Sequence, residues 1–191
     1  MKKQKRILDI VIAGILLLIT LPIMIIIAIA IKLDSAGPIF YYYHGQIKKM
    51  PVYRLGKDGK PFRYFKFRTM IHDPANPSHK EVTCVGHFLR CWHLDELPEF
   101  IIVLSGNMSL VGPRPLSKEA AGLFPTEYYR NLPVCPGITG QAQITGGRLD
   151  PPEKMIAATS QYTENWCLKK DFTLLIQTPI AIVAQCKMFE H

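Results

Sequence analysis

Residues 10–31 carry no charged side chain. As a helix rising about 1.5 Å per residue they reach about 33 Å, enough to cross the roughly 30 Å hydrocarbon core of a bilayer. An Ala-x-Ala cleavage pattern occurs at Ala28-Ile29-Ala30. The run nevertheless exceeds the roughly 7–15 apolar residues of a signal-peptide core, so it reads as a retained anchor. Pro22 stands mid-run; proline inside a helix removes one N–H and crowds the carbonyl a turn earlier, which predicts two half-length helices. Lys2, Lys3, Lys5 and Arg6 precede the run, and Lys32, Lys48 and Lys49 follow it. A straight span puts one of these basic groups outside, against the positive-inside tendency, whereas a re-entrant hairpin keeps both on the cytoplasmic face. An ordinary kinked span is the alternative, since membrane helices tolerate proline. These residues leave both readings open.

The chain of 191 residues, 48% hydrophobic, has room for one domain with a core beside that anchor. The division read from the sequence is an anchor over residues 1–36 and one domain over residues 37–191. The formal net charge of +8 favours anionic partners: nucleic acid, lipid headgroups or phosphorylated metabolites. Basic residues are dispersed and no nucleic-acid recognition motif is present, which argues against nucleic acid. Five cysteines form no Cys-x-x-Cys pair, which speaks against a disulfide framework or a zinc cage and for idle thiols in a reducing compartment. No His-Glu-x-x-His spacing points to a zinc hydrolase.

Residues 34–38 read as a turn leaving the membrane, and residues 39–43 as a β-prone aromatic stretch suited to the lipid interface. In residues 52–70, Lys57-Asp58-Gly59-Lys60 separates two strand-like runs, and Asp-Gly is a strong hairpin signal. If residues 63–70 form the second strand, alternation places Tyr64, Lys66, Arg68 and Met70 on one face and Phe65, Phe67 and Thr69 on the other. Taken alone, that cationic face is also what a solvated edge strand shows. Residues 71–83, with Pro74 and Pro77, read as a loop. Helices are expected over residues 86–92 and from near Asp95 to Leu104, the latter ended by Gly106-Asn107. Residues 133–148 read as irregular, and residues 172–189, containing Pro179, as a broken core helix or an amphipathic one on the membrane.

Asp95 and Glu96 precede an apolar helical run. Asp95 falls where an N-cap belongs, with Pro98 in the first turn; the bland reading is a cap followed by a solvated first-turn acid. Arg90 upstream and Gly112-Pro113-Arg114-Pro115 downstream raise a sharper one. Arginine's planar fork grips phosphate oxygens in pairs, and Pro113 and Pro115 stiffen the loop that aims it. Adjacent carboxylates suit Mg²⁺, which takes one or two acidic ligands and completes its shell with substrate phosphates.

At these residues the chain resembles the bacterial sugar transferases, the small monotopic phosphoglycosyl transferases that initiate glycan assembly. The likeness runs through the proline-centred apolar segment, Gly37-Pro38-Ile39-Phe40, Gly56-Lys57-Asp58-Gly59-Lys60, Lys66-Phe67-Arg68-Thr69-Met70, Leu94-Asp95-Glu96-Leu97-Pro98, Met108-Ser109-Leu110-Val111-Gly112-Pro113-Arg114-Pro115 and Pro136-Gly137-Ile138-Thr139-Gly140. The resemblance implies an α+β fold: a re-entrant membrane helix hairpin, and a mostly helical cytoplasmic domain with a small β-hairpin and membrane-interface helices. It implies transfer of a sugar 1-phosphate from a UDP-sugar to a polyprenyl phosphate, usually undecaprenyl phosphate, with release of UMP. The setting is the cytoplasmic leaflet of the bacterial inner membrane and the cofactor is Mg²⁺. By the same resemblance Asp95 is the nucleophile that forms an aspartyl phosphosugar, a form of covalent catalysis. Glu96 holds Mg²⁺ with Asp95 or assists the acceptor. Lys66, Arg90, Arg114 and Arg148 neutralise phosphates, Arg68 supports them, and Asp171 orients a basic side chain.

Departures from the family pattern are about ten extra residues between Phe40 and Arg54, where a short loop is the norm, and Glu99, Asn107 and Gln141 where glutamine, aspartate and tryptophan are common. The rival from another class is a catalytically inactive, membrane-tethered scaffold that binds lipid phosphates and partner enzymes. The sequence carries no signature of a particular sugar, glycan pathway or oligomeric state.

Overall fold

The computed structural model describes residues 3–41, 52–73, 81–130, 132–145 and 151–189. Arg148, most of the extra residues between Phe40 and Arg54, and the middle of the expected 71–83 loop lie outside them. Helix α1 (Lys3–Asp34) is followed by β1 (Val52–Leu55), β2 (Pro61–Tyr64), α2 (Cys84–Cys91), α3 (Glu99–Ser105), β3 (Ser109–Val111), α4 (Lys118–Ala121), α5 (Thr126–Arg130), β4 (Gly137–Thr139), α6 (Gln141–Thr145), α7 (Pro152–Glu164) and α8 (Leu168–Phe189). The α+β class holds: helices dominate and the strands form two small sheets.

Helix α1 runs through Pro22 without interruption, so the expected division into two half-length helices is not found. A proline removes one hydrogen bond, and the apolar run on either side supplies the rest. Thr20 donates from Oγ1 to the carbonyl of Leu16 at 2.7 Å, an exchange that commonly bends helices. Both ends of α1 dock on the same domain. Near its start Lys5 Nζ donates to Asp171 Oδ2 at 2.6 Å with both side chains buried, and Asp9 accepts from Ser109 Oγ and from the backbone N–H of Leu110. Arg6 donates to the carbonyls of Val103 and Leu104 at 2.6 and 2.8 Å, which satisfies the open C-terminal end of α3 with a cation where the helix dipole favours one. Near its end, Arg68 donates to Ser35 Oγ and to the carbonyls of Ser35 and Pro38, and Asp34 accepts from Val85 N at the start of α2. Between the ends the helix shows apolar side chains outward, Leu18 at 74% and Ile26 at 66% exposure.

The hairpin forms as the Asp-Gly signal predicts: β1 and β2 pair antiparallel, Val52 opposite Tyr64 and Leu55 opposite Pro61. Its turn is a short 3-10 segment, Lys57–Gly59, with Asp58 at φ 56, not a two-residue loop. The second strand ends at Tyr64. Beyond it the backbone changes partners, with Tyr41 N bonding to Lys66 O, Phe67 N to Asp95 O and Arg68 N to Ile39 O. The expected common face of Lys66 and Arg68 therefore does not exist: Lys66 turns to Asp95, while Arg68, 2% exposed, is buried against the end of α1.

Residues 133–148, expected to be irregular, supply β4 and α6. Strands β3 and β4 run parallel, Ser109 opposite Gly137 and Val111 opposite Thr139. Gly112, Gly137 and Gly140 allow this close approach: a Cβ on Gly112 would lie 2.4 Å from Cys135 O, and one on Gly140 2.1 Å from Gly112 O. Helix α8 continues through Pro179 and is not broken. Buried Leu110, Val111, Ile102, Val103, Tyr162 and Leu174 form the main core with Ala13 of α1. A second cluster joins Met24, Ile27 and Ile31 to Phe67 and Leu89. Cys91 of α2 and Cys186 of α8 lie against each other, their Cα atoms 4.6 Å apart, a contact across 95 residues that leaves no local spacing to read.

Candidate active site

The acidic doublet sits in a tight 3-10 turn, Leu94–Glu96, entered through His93 in the left-handed conformation (φ 53, ψ 22). Asp95 is therefore not the N-cap of α3. That place belongs to Pro98, which makes no side-chain cap bond. The turn is tied down where Phe67 N donates to Asp95 O at 2.9 Å, and this backbone bond brings Lys66 alongside. Lys66 Nζ donates to Asp95 Oδ2 at 2.6 Å. The other oxygen, Asp95 Oδ1, is buried without a hydrogen-bond partner, and the residue has no exposed surface. Lone buried acceptors are costly, and roughly nine in ten buried polar groups are paired. An unpaired carboxylate oxygen beside a lysine is a place for an incoming electrophile or cation.

Glu96 Oε2 lies 3.5 Å from His93 Nδ1. Asp95 and Glu96 are hard oxygen donors adjacent in the chain, and no group of three or more His, Cys, Asp or Glu that could hold a metal ion gathers among the described residues, this turn included. Two carboxylates and an orphaned buried oxygen fit Mg²⁺ bound jointly with substrate phosphates, and do not make a closed protein cage.

A cavity of about 440 Å³ opens beside this turn. Its wall includes Leu94, Glu96 and His93 from the turn, Arg54 and Tyr64 from the hairpin, Arg114 and Pro115 from the proline loop, and Thr139 and Gln143 from β4 and α6. Gly112 N donates to Thr139 O and Gly137 N to Pro113 O, so the Gly112-Pro113-Arg114-Pro115 and Pro136-Gly137-Ile138-Thr139-Gly140 motifs form one unit that aims Arg114 into the cavity. Buried Pro113 and half-buried Pro115 stiffen that loop by fixing φ on either side of Arg114. Arg90 donates from Nε to Thr69 Oγ1 at 2.8 Å and is not among the residues lining the cavity. Asp171 holds Lys5 of α1, and it also accepts from Tyr162 OH and Trp166 Nε1; it lies in the anchor's dock, not at the cavity.

Sequence reasoning missed the polar floor of this cavity. Tyr64 OH donates to Glu99 Oε1 at 2.5 Å, and Glu99 is 2% exposed. Burial, reinforced by Glu96, pushes the Glu99 carboxyl well above its ordinary range, and burial together with Glu99 likewise raises the Tyr64 phenol. Burial thus biases both groups toward their neutral forms. The available signal was periodicity: Glu99 shares the buried face of α3 with Ile102 and Val103, a place where an acid needs a partner. Arg54, which lies 5.0 Å over the Tyr64 ring, carried no such signal.

Comparison with known proteins accords with this arrangement. The bacterial sugar transferase family model matches residues 1–185. The chain is 38% identical over 194 residues to a UDP-glucose:undecaprenyl-phosphate glucose-1-phosphate transferase of Escherichia coli (strain K12), covering 91% of this chain and 39% of that protein. It is 34% identical to a UDP-N-acetylgalactosamine-undecaprenyl-phosphate N-acetylgalactosaminephosphotransferase of Aeromonas hydrophila, covering 91% and 42%. It is 35% identical to the uncharacterized sugar transferase EpsL of Bacillus subtilis (strain 168), covering 91% and 84%. The chain thus spans about two fifths of the length of the first two. With a family match over nearly its whole length, and with Glu96 of the acidic turn and both glycine-proline loops lining one cavity, the chain belongs to the bacterial sugar transferase family.

Proposed function

We propose that this chain transfers a sugar 1-phosphate from a UDP-sugar to undecaprenyl phosphate, working at the cytoplasmic leaflet of the bacterial inner membrane. The observation that carries the reading is the Asp95 carboxylate: one oxygen is held by Lys66 at 2.6 Å and the other is buried and unpartnered, next to a cavity that Arg114 enters. In the reaction Asp95 Oδ1 attacks the sugar-bearing phosphorus. The bond from that phosphorus to the bridging oxygen breaks, and UMP leaves with the electron pair. An oxygen of the lipid phosphate then attacks the same phosphorus and breaks its bond to Asp95, which restores the carboxylate. Each half-step exchanges one P–O bond for another, the economy of covalent catalysis.

Lys66 fixes the Asp95 carboxylate in place. The Arg114 fork takes diphosphate oxygens, with Arg90 and Arg148 supplying further positive charge to the phosphates. Mg²⁺ held by Asp95 and Glu96 would neutralise diphosphate charge. Because Asp95 has no exposed surface, substrate entry has to part the side chains over it, with Glu96 and Leu94 as the cavity-side gate.

The membrane placement is supported by the docking of both ends of α1 on one domain and by the outward apolar middle of that helix. A re-entrant segment accords with both observations. The apolar stripe of Phe172, Ile176, Ile180 and Val183 along α8, with Phe88 on α2 and Trp92 just past its end, supplies surfaces for membrane-interface helices.

The test is UMP release and trapping of label from a sugar-labelled UDP-sugar, with Mg²⁺ and undecaprenyl phosphate, by wild type and Asp95→Asn. The expected result is UMP and a labelled protein from wild type and neither from the variant. Label on Asp95→Asn would place the nucleophile elsewhere. No UMP from wild type with any UDP-sugar would favour a membrane-tethered scaffold.

A further inference from the structure

Three buried side-chain polar atoms lack a hydrogen-bond partner among the described residues: Asp95 Oδ1, His93 Nε2 and Gln143 Oε1. The first has its chemistry above, and the second belongs to the same acidic turn. Gln143 lies on α6, across the cavity, and its carbonyl oxygen has no assigned task. Its orientation is fixed by its other end: Gln143 Nε2 donates to Gly137 O at 3.2 Å. A carbonyl can only accept, so the amide cannot be turned round without losing this bond and setting two oxygens against each other. The main chain is held as well, with Gln185 Nε2 of α8 donating to Gln143 O at 2.9 Å. Gly140 keeps the space beside the amide clear; a Cβ there would lie 2.9 Å from Gln143 Oε1.

Gly137 links this acceptor to the phosphate side of the site, since its N–H donates to Pro113 O, directly before Arg114, while its carbonyl receives the Gln143 amide. A molecule whose phosphates meet Arg114 therefore presents its neighbouring groups to an acceptor held in fixed register with that arginine. We infer that Gln143 is a specificity-determining residue that accepts a hydrogen bond from a neutral N–H or O–H donor of the bound nucleotide sugar. Resting on the function proposed above, this adds the group that is read. Two parts of such a substrate carry the chemistry, the imide N–H of the base and the hydroxyl or amide donors of the sugar.

The experiment uses the full chain in detergent micelles with Mg²⁺ and undecaprenyl phosphate, and compares wild type with Gln143→Met, which keeps the side chain's length and removes its acceptor. Substrates are UDP-glucose, its N3-methyluracil analogue and its single deoxy-sugar analogues. Wild type should prefer UDP-glucose to one of these analogues by roughly tenfold to a hundredfold in kcat/KM, the worth of one buried hydrogen bond. Gln143→Met should lose most of that preference through KM, with kcat within about threefold. Collapse on the N3-methyl analogue assigns the donor to the base, and collapse on a deoxy analogue assigns it to the sugar. A merely structural role would lower the melting temperature and leave the preference intact. Equal preference in the two proteins overturns the inference while UMP release by wild type upholds the functional reading. Should Gln143→Met fail to fold, a wild type that uses every analogue equally well overturns it alone. Should wild type release no UMP, calorimetric binding of UDP-glucose and its analogues decides: acceptor-dependent binding keeps the inference and discards the reaction, and binding blind to Gln143 discards both.

Discussion

Replacing Glu99 by glutamine isolates the proton held under the cavity. The carboxyl is buried, so burial and the nearby Glu96 raise its folded-state pKa well above the ordinary 4.5. A raised carboxyl contributes its full stability below the unfolded value, and that contribution is lost as pH climbs toward the folded value. The loss runs at no more than about 1.4 kcal/mol per pH unit for one proton, so wild type gives up at most about 3 kcal/mol between pH 5 and pH 7. Glutamine keeps the oxygen that accepts from Tyr64 OH and has no proton to lose. Relative to wild type, Glu99→Gln should therefore gain stability over those two units, by at most about 3 kcal/mol. At about 2–4 °C per kcal/mol for a chain of this size, the melting-temperature difference should widen with pH, by at most about 6–12 °C. Thermal melts of both proteins in the same detergent at pH 5, 6 and 7 read it directly. A constant difference across the series refutes a proton on Glu99. The functional corollary follows from charge, since Lys66 also attracts Glu99: an ionised Glu99 competes with Asp95 for that cation, so UMP release should hold up better in Glu99→Gln as pH rises.

Four further outcomes follow from the geometry. Lys5→Met strands Asp171, whose carboxylate is 1% exposed and also serves Tyr162 and Trp166; the loss should be about 3–5 kcal/mol, measured as a fall in chemical-denaturation midpoint. Gly112→Ala places a Cβ 2.4 Å from Cys135 O, and since backbone must move to admit it, expression should yield aggregated protein; a soluble, active product would contradict the close approach of the two motifs. Chelation with EDTA should stop UMP release and added Mg²⁺ should restore it, whereas turnover unaffected by chelator would remove the metal from the scheme. Pro22→Ala should leave a cysteine placed at Lys3 labelled from the same side as in wild type, since Lys5, Arg6 and Asp9 hold that end; a switch of side would make the proline the cause of the topology.

The sequence disclosed what is local. The uncharged run at residues 10–31, the Asp-Gly turn and the helix end at Gly106, which adopts φ 90 as a C-cap, all lie where pattern and turn chemistry put them. Although the Lys66 that holds Asp95 stands 29 residues upstream, the acidic doublet itself was legible because its two members are adjacent in sequence. Its conformation was not. The left-handed His93 turns the chain before Asp95, so a residue that looked like a cap is instead buried against Lys66. Alternation failed beyond Tyr64 for a related reason: it presumes one continuous pairing partner, and residues 66–68 bond to residues 39–41 and to Asp95.

What single-chain reading misjudged most is the use of the charges around the membrane segment. Lys5 and Arg6 entered the argument as interfacial cations that set topology. In the fold they are internal: Lys5 is 2% exposed and ion-paired to Asp171 across 166 residues, and Arg6 caps α3. Arg68, taken for a companion of Lys66, closes the other end of α1. The same α3 that Arg6 caps begins just after the Asp95 turn, and the same 66–68 segment supplies Lys66 to Asp95 and Arg68 to α1. The two ends of α1 are thus fastened to the two elements that surround Asp95. Under the function proposed above, a carboxylate that meets a lipid phosphate has to sit at a fixed depth from the bilayer, and these fastenings would set that depth through a handful of bonds, none between residues adjacent in sequence.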